Sequence, residues 1–150
     1  MTLPHDLQHF PNGALILTSD SVKATFYLVG GDSVEELGSI EHPREKSSDA
    51  EGERFSTDGT RVIGLEPEKK EQERLHQFVH DVATQTEAYV REHNIPHIHL
   101  VLPTEVEREF SKKLPPEIHA KIGKTIHADV MKESVLDIVK RVVAHLGIGA

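Results

Sequence analysis

The sequence predicts an α/β fold: one domain over residues 1–150 with a mixed β-sheet, an N-terminal antiparallel hairpin and helices packed on it. Three observations carry this. Residues 14–30 hold two β-rich runs, ALILTS and VKATFYLVG, joined by a short polar turn. Residues 67–93 repeat apolar side chains at three- and four-residue steps, the period of an amphipathic helix. Residues 97–102, HIHLVL, then form a short run apolar on both faces, as in a strand covered on each side, and helical patterns follow it. The order β-β-β-loop-α-β-α-α-β-α implies helices layered on a mixed sheet.

Taken in order, the second run alternates. Val22, Ala24, Phe26 and Leu28 share one face, and Lys23, Thr25, Tyr27 and Val29 the other. GGDS (30–33) supplies a turn in which glycine accepts positive φ. VEELGSIEH (34–42) reads as a third strand at a sheet edge, its charges facing water. Residues 43–61 hold one large apolar residue, Phe55, among Ser, Gly, Asp, Glu, Lys and Arg, and are expected to form a flexible loop. A segment of this length is either functional or a tether, and composition leaves both open. RVIGLE (61–66) reads as a short returning strand.

The long helix begins at Pro67, which suits a first turn, with Glu66 and Glu68 at its positive end. Leu75, Phe78, Val79, Val82, Thr86, Tyr89 and Val90 line its buried stripe, and it ends before Asn94 and Pro96. After Pro103, Thr104 and Glu107 match a capping box opening a helix over 105–113. LPPE (114–117) restarts a second helix in which Ile118 and Ile122 share a face. KTIHADV (124–130) reads as a strand, and a last helix over 133–146 aligns Val135, Val139, Val142 and Leu146.

Composition narrows the function classes. A chain of 150 residues can hide roughly 68–70% of its unfolded surface in one core. The formal charge of −8 argues against strong binding of free nucleic acid, which needs clustered Lys and Arg. Cysteine is absent, which removes disulfides, thiolate chemistry and Cys-ligated zinc. No basic n-region leads into an apolar stretch, and no apolar run nears the roughly 18 residues of a membrane helix. A cytoplasmic location without membrane contact is expected.

Eleven histidines invite a metal reading. His97 and His99 are two apart and share a strand face; His76 and His80 are four apart and share a helix face. Imidazole nitrogens from the two pairs could meet around Zn²⁺, so a metal-binding protein or metal-dependent hydrolase is the alternative reading. Both helical histidines, however, flank the apolar stripe, where half-exposed side chains are the rule. Glu105, Glu107 and Glu109 follow the carboxyl end of a strand, but a helix N-terminus attracts acids for electrostatic reasons alone. No nucleophile elbow, P-loop or dinucleotide fingerprint is present, so no cofactor is expected and an enzyme is the less favoured reading.

Several phrases together carry a resemblance. ALILTSDSVKATFYLV, GSIEHPRE, GERFSTDG and the run IHLVLPTEVEREFSKKLPPEIHAKIGKTIHADV resemble, over nearly the whole chain, the bacterial host attachment protein family. Its members are also described as bacterial archaeo-eukaryotic-release-factor-like proteins and look like the middle domain of the release factor. The resemblance implies a mixed sheet of the translation-component or ribonuclease-H-like type. It also implies a ribosome or other macromolecular partner. The release factor's Gly-Gly-Gln motif is absent; Gly30-Gly31-Asp32 is the nearest string and ends in an acid that does not mimic a glutamine amide. The place of a functional tip falls to the loop 43–61, where Arg44, Arg54, Phe55 and Arg61 are the candidate binding residues. The resemblance would put an aliphatic residue at His99. A buried imidazole there needs a hydrogen-bond partner, expected to be a polar side chain from a covering helix.

Overall fold

The computed structural model describes residues 1–44 and 66–146. Residues 45–65, with most of the loop expected at 43–61 and all but the last residue of the strand expected at 61–66, lie outside the described residues, and Glu66 opens the long helix instead. The sheet has five strands in the order β3-β2-β1-β4-β5. The first three form an antiparallel meander: β1 (Ala14–Ser19), β2 (Lys23–Gly30) and β3 (Ser33–Glu41). Asp20 makes the first turn by accepting the amides of Val22 and Lys23 on one carboxylate oxygen, each at 2.7 Å. This is the local bonding that places Asp at turns. β4 (Ile98–Val101) and β5 (Ile122–Ile126) add in parallel beside β1. β1 is therefore the centre of the sheet, and all six of its residues are buried.

The helices are α1 (Glu66–His93), α2 (Thr104–Lys113), α3 (Pro116–His119) and α4 (Val135–His145). α1 ends where the sequence places its end. Asn94 takes φ 53°, and the Ile95 amide returns to the Val90 carbonyl at 3.0 Å. That is a left-handed helix stop with Asn in the role usually given to glycine. β4 sends alternate side chains to opposite faces, and each face has its own core. Leu15, Leu17, Phe26, Ile98 and Leu100 pack under α1 and α2, with Phe78 and Phe110 at the centre. Ile16, Val29, Val101 and Ile126 pack under α4 and the N-terminal segment, which contributes Leu3, Leu7 and Phe10. The sequence reading gave that segment no structural role. In the structure a single 3-10 turn, His5–Leu7, folds it across the sheet.

Three local expectations are corrected. The capping box does not form: the helix starts at Thr104 itself, Pro103 is the N-cap, and no side chain caps the end. Thr104 lies inside the first turn, so its hydroxyl has lost the non-helical geometry a cap needs; the Pro103 carbonyl takes the Glu107 amide at 3.0 Å. The strand expected at 124–130 runs instead from Ile122 to Ile126. Its partner β4 supplies no bonds beyond Leu102, whose amide reaches Ile126 at 2.9 Å, so residues 127–130 leave the sheet. Ile122 thus belongs to β5, and the second helix shrinks to one turn. A cap does form at α4, where the Ser134 hydroxyl accepts the Asp137 amide at 3.2 Å.

Candidate functional site

The most connected polar cluster lies at the end of the sheet where β1 turns into β2 and β3 finishes. Arg74 sits four residues before Phe78 on α1, so its aliphatic stem lies beside the buried stripe while its guanidinium reaches the strand ends. Its side chain is 12% exposed. One terminal nitrogen donates to the His42 carbonyl at 2.6 Å, and the other to the Ser21 carbonyl at 2.9 Å and to Glu71 at 2.8 Å. Nε donates to the second Glu71 oxygen at 3.0 Å. The planar fork makes four bonds here, to two backbone carbonyls and both carboxylate oxygens, one more than the three donors of a lysine ammonium. The Arg74 hydrogen bond, with further help from Arg44, holds the Glu71 carboxyl below its ordinary pKa.

Arg44 extends this cluster outward. Its Nε donates to Glu71 at 3.2 Å and a terminal nitrogen to the Ser21 hydroxyl at 2.7 Å. His42 completes it, 2.9 Å from Asp81 and edge-on to Phe78 with ring centroids 5.7 Å apart. The chain is therefore anchored on both sides of residues 45–65: at His42 and Arg44 before them, and at Glu71 and Arg74 after them. Of the four candidate binding residues, Arg44 is placed at this anchor. Arg54, Phe55 and Arg61 lie outside the described residues.

The four histidines are not brought together. Among the described residues no three His, Cys, Asp or Glu side chains form a group that could hold a metal ion. His76 and His80 are exposed on α1, and His76 Nε2 lies 3.2 Å from the Lys113 ammonium. His97 is exposed just before β4. His99 is 5% exposed, as expected of a buried imidazole, but its partner is corrected. The bond comes from the backbone amide of Lys124, 3.1 Å from Nδ1, and not from a helix side chain. The cause is a register shift between Ile98 and Leu100 that leaves the Lys124 amide without a ladder partner. The ring fills this gap above Gly123 and lies 6.0 Å from Phe10. Burial, with the nearby His97 and Lys124 charges, lowers its pKa from 6.5 to about 4.

The acids at the carboxyl edge of β4 serve as ties. Glu107 accepts the Ser111 hydroxyl at 3.2 Å and lies 3.3 Å from His127 Nε2; Glu109 stands 4.0 Å from His76. Gly30-Gly31-Asp32 forms the β2–β3 turn, with Gly31 at φ 56°, at the opposite end of the sheet from Arg74. The Arg74 cluster escaped the sequence reading. Glu71 and Arg74, three apart on a helix, give a weak signal; the other partners are backbone carbonyls, which no sequence pattern marks.

Comparison with one solved structure shows the same fold at low identity. An archaeal translation termination factor matches with a TM-score of 0.55 and 12% identity, over 91% of this chain and 39% of the other. The archaeal Pelota–ABCE1 complex in its ribosome-bound form matches at 0.47 and 21% identity, over 90% and 40%. This chain thus spans about two-fifths of the length of the structures it resembles. No curated protein sequence matches it. A family model described as a protein required for attachment to host cells matches residues 15–142, and the chain belongs to that family.

Proposed function

We propose that the chain is a non-catalytic binding module of release-factor type that works in the cytoplasm and associates with the ribosome or another part of the translation apparatus. The observation that carries this reading is the fold shared over 91% of the chain with an archaeal translation termination factor. The lack of a Gly-Gly-Gln string supports binding without peptidyl-tRNA hydrolysis, because the motif that presents a glutamine amide to the ester is missing. The anchoring of the chain on both sides of residues 45–65 supports Arg44, Arg54, Phe55 and Arg61 as the contact residues. In this reading Arg74 and Glu71 hold the base from which that segment departs and to which it returns.

Ribosome co-sedimentation tests the proposal. The full chain should travel with ribosomes, and a combined Arg54→Ala, Phe55→Ala, Arg61→Ala variant should be largely released while its unfolding midpoint stays unchanged. A chain found only in the soluble fraction, in growing and in starved cells alike, would end this reading.

A further inference from the structure

We infer that the outer edge of β3 is a docking site for a short extended segment rich in lysine or arginine, which adds to the sheet beside Ser39–Glu41. The edge already accepts an extended segment of the chain through one isolated bridge. Thr2 bridges Ser33 in antiparallel sense, the Leu3 amide donates to the Asp32 carbonyl at 2.7 Å, and the Val34 amide to the Met1 carbonyl at 2.9 Å. That segment covers the edge only as far as Val34.

Further along, alternation decides which groups point outward. The His42 amide donates to the Val22 carbonyl at 2.8 Å, so positions 40 and 38 also bond inward to β2, and the backbone groups of Ser39 and Glu41 face away from it. Among the described residues no backbone bond satisfies those outward groups. The register shift facing Phe26 and Tyr27 breaks the outward period between Glu36 and Ser39. Among the described residues the free stretch is therefore about four residues long and takes a correspondingly short segment.

Charge selects the occupant. Asp32, Glu35, Glu36 and Glu41 are exposed along this edge, and on the neighbouring strand one cation, Lys23, stands across from Glu41. Edge carboxylates oppose pairing with a second copy of the same strand, since like charges would meet. The same carboxylates attract a basic segment, so one feature gives both rejection and choice. Main-chain bonds supply the pairing and alternate side chains the specificity, as in other strand-addition modes. This surface adjoins the Arg74 cluster at His42 but does not depend on the translation reading.

The probe is a blocked hexapeptide of alternating lysine and valine, titrated into the ¹⁵N-labelled full chain at low salt. Shifts and exchange protection should centre on the amides of Ser39 and Glu41. A Glu36→Gln, Glu41→Gln variant, exposed at both positions, should bind about tenfold more weakly. A peptide with glutamate for lysine, or one N-methylated at alternate amides, should not bind. Shifts away from β3, equal affinity in the double variant, or no binding at millimolar peptide would each overturn the inference. So would a β3-paired dimer of the chain alone in sedimentation equilibrium.

Discussion

His99 accepts the Lys124 amide on Nδ1, and that bond requires an unprotonated nitrogen. The unfolded chain takes up the proton near pH 6.5, the folded chain only near 4. Between these values the unfolded state holds more protons, so the stability from neutral His99 is complete above pH 6.5 and is lost as pH falls toward 4. The loss amounts to about 3 kcal/mol, readable as a falling urea midpoint between pH 6.5 and 4. His99→Leu should flatten that slope while lowering stability at pH 7 by about 1–3 kcal/mol, because the Lys124 amide loses its partner. The glycine beneath is equally committed. A Cβ at Gly123 would stand 2.8 Å from the imidazole Cε1, so Gly123→Ala should cost about 1–3 kcal/mol in the same titration. The sequence showed that His99 needed a partner; it could not show that a register shift would supply one from the backbone.

At the scale of elements, both edge strands solve a register shift in the same way. On β5 the shift is filled by His99 over Gly123; on β3 it is filled by Tyr89 from α1, over Gly38. The Tyr89 hydroxyl donates to the Leu37 carbonyl at 3.2 Å, and a Cβ at Gly38 would lie 2.6 Å from that hydroxyl. Gly38→Ala should therefore destabilise the protein, and by less when combined with Tyr89→Phe. A double-mutant cycle by chemical denaturation reads the coupling directly. Arg74 ties other elements together. Arg74→Ala should cost about 2–3 kcal/mol, since the Ser21 and His42 carbonyls and Glu71 all lose a charged donor, and Arg74→Lys should recover less than half. Strand and helix positions were legible because alternation and the 3.6-residue period are local signals. The capping box and the ends of β5 were not, because a cap depends on backbone geometry and a strand ends where its neighbour stops pairing.

At the scale of the molecule, the sheet divides two cores. Leu, Ile and Val dominate both, as a chain with 5% aromatics requires, yet of the four phenylalanines buried among the described residues three, Phe26, Phe78 and Phe110, lie on the α1–α2 side and only Phe10 on the other. Phe78→Ala should cost about 3–5 kcal/mol. Unfolding should stay a single transition by far-UV and near-UV circular dichroism, because both cores rest on the same central strand. The mixed sheet and its helices were foreseen from periodicity, and the family from dispersed phrases. The N-terminal lid was not, since Leu3, Leu7 and Phe10 are spaced without a regular period.

The length of α1 has a mechanical consequence. Its 28 residues span about 42 Å, whereas the nine residues of β3 span about 30 Å. Arg74 and Arg44 hold the helix at Arg74 and Glu71 against the strand ends, so the five residues from Glu66 to Lys70 precede this grip as an arm of about 8 Å. Arg74 is the fulcrum. A load applied at the tip of the arm pulls first on the Arg44–Glu71 pair and then on the carbonyls of Ser21 and His42, so force arriving there is felt at the ends of β1, β2 and β3 before it reaches either core.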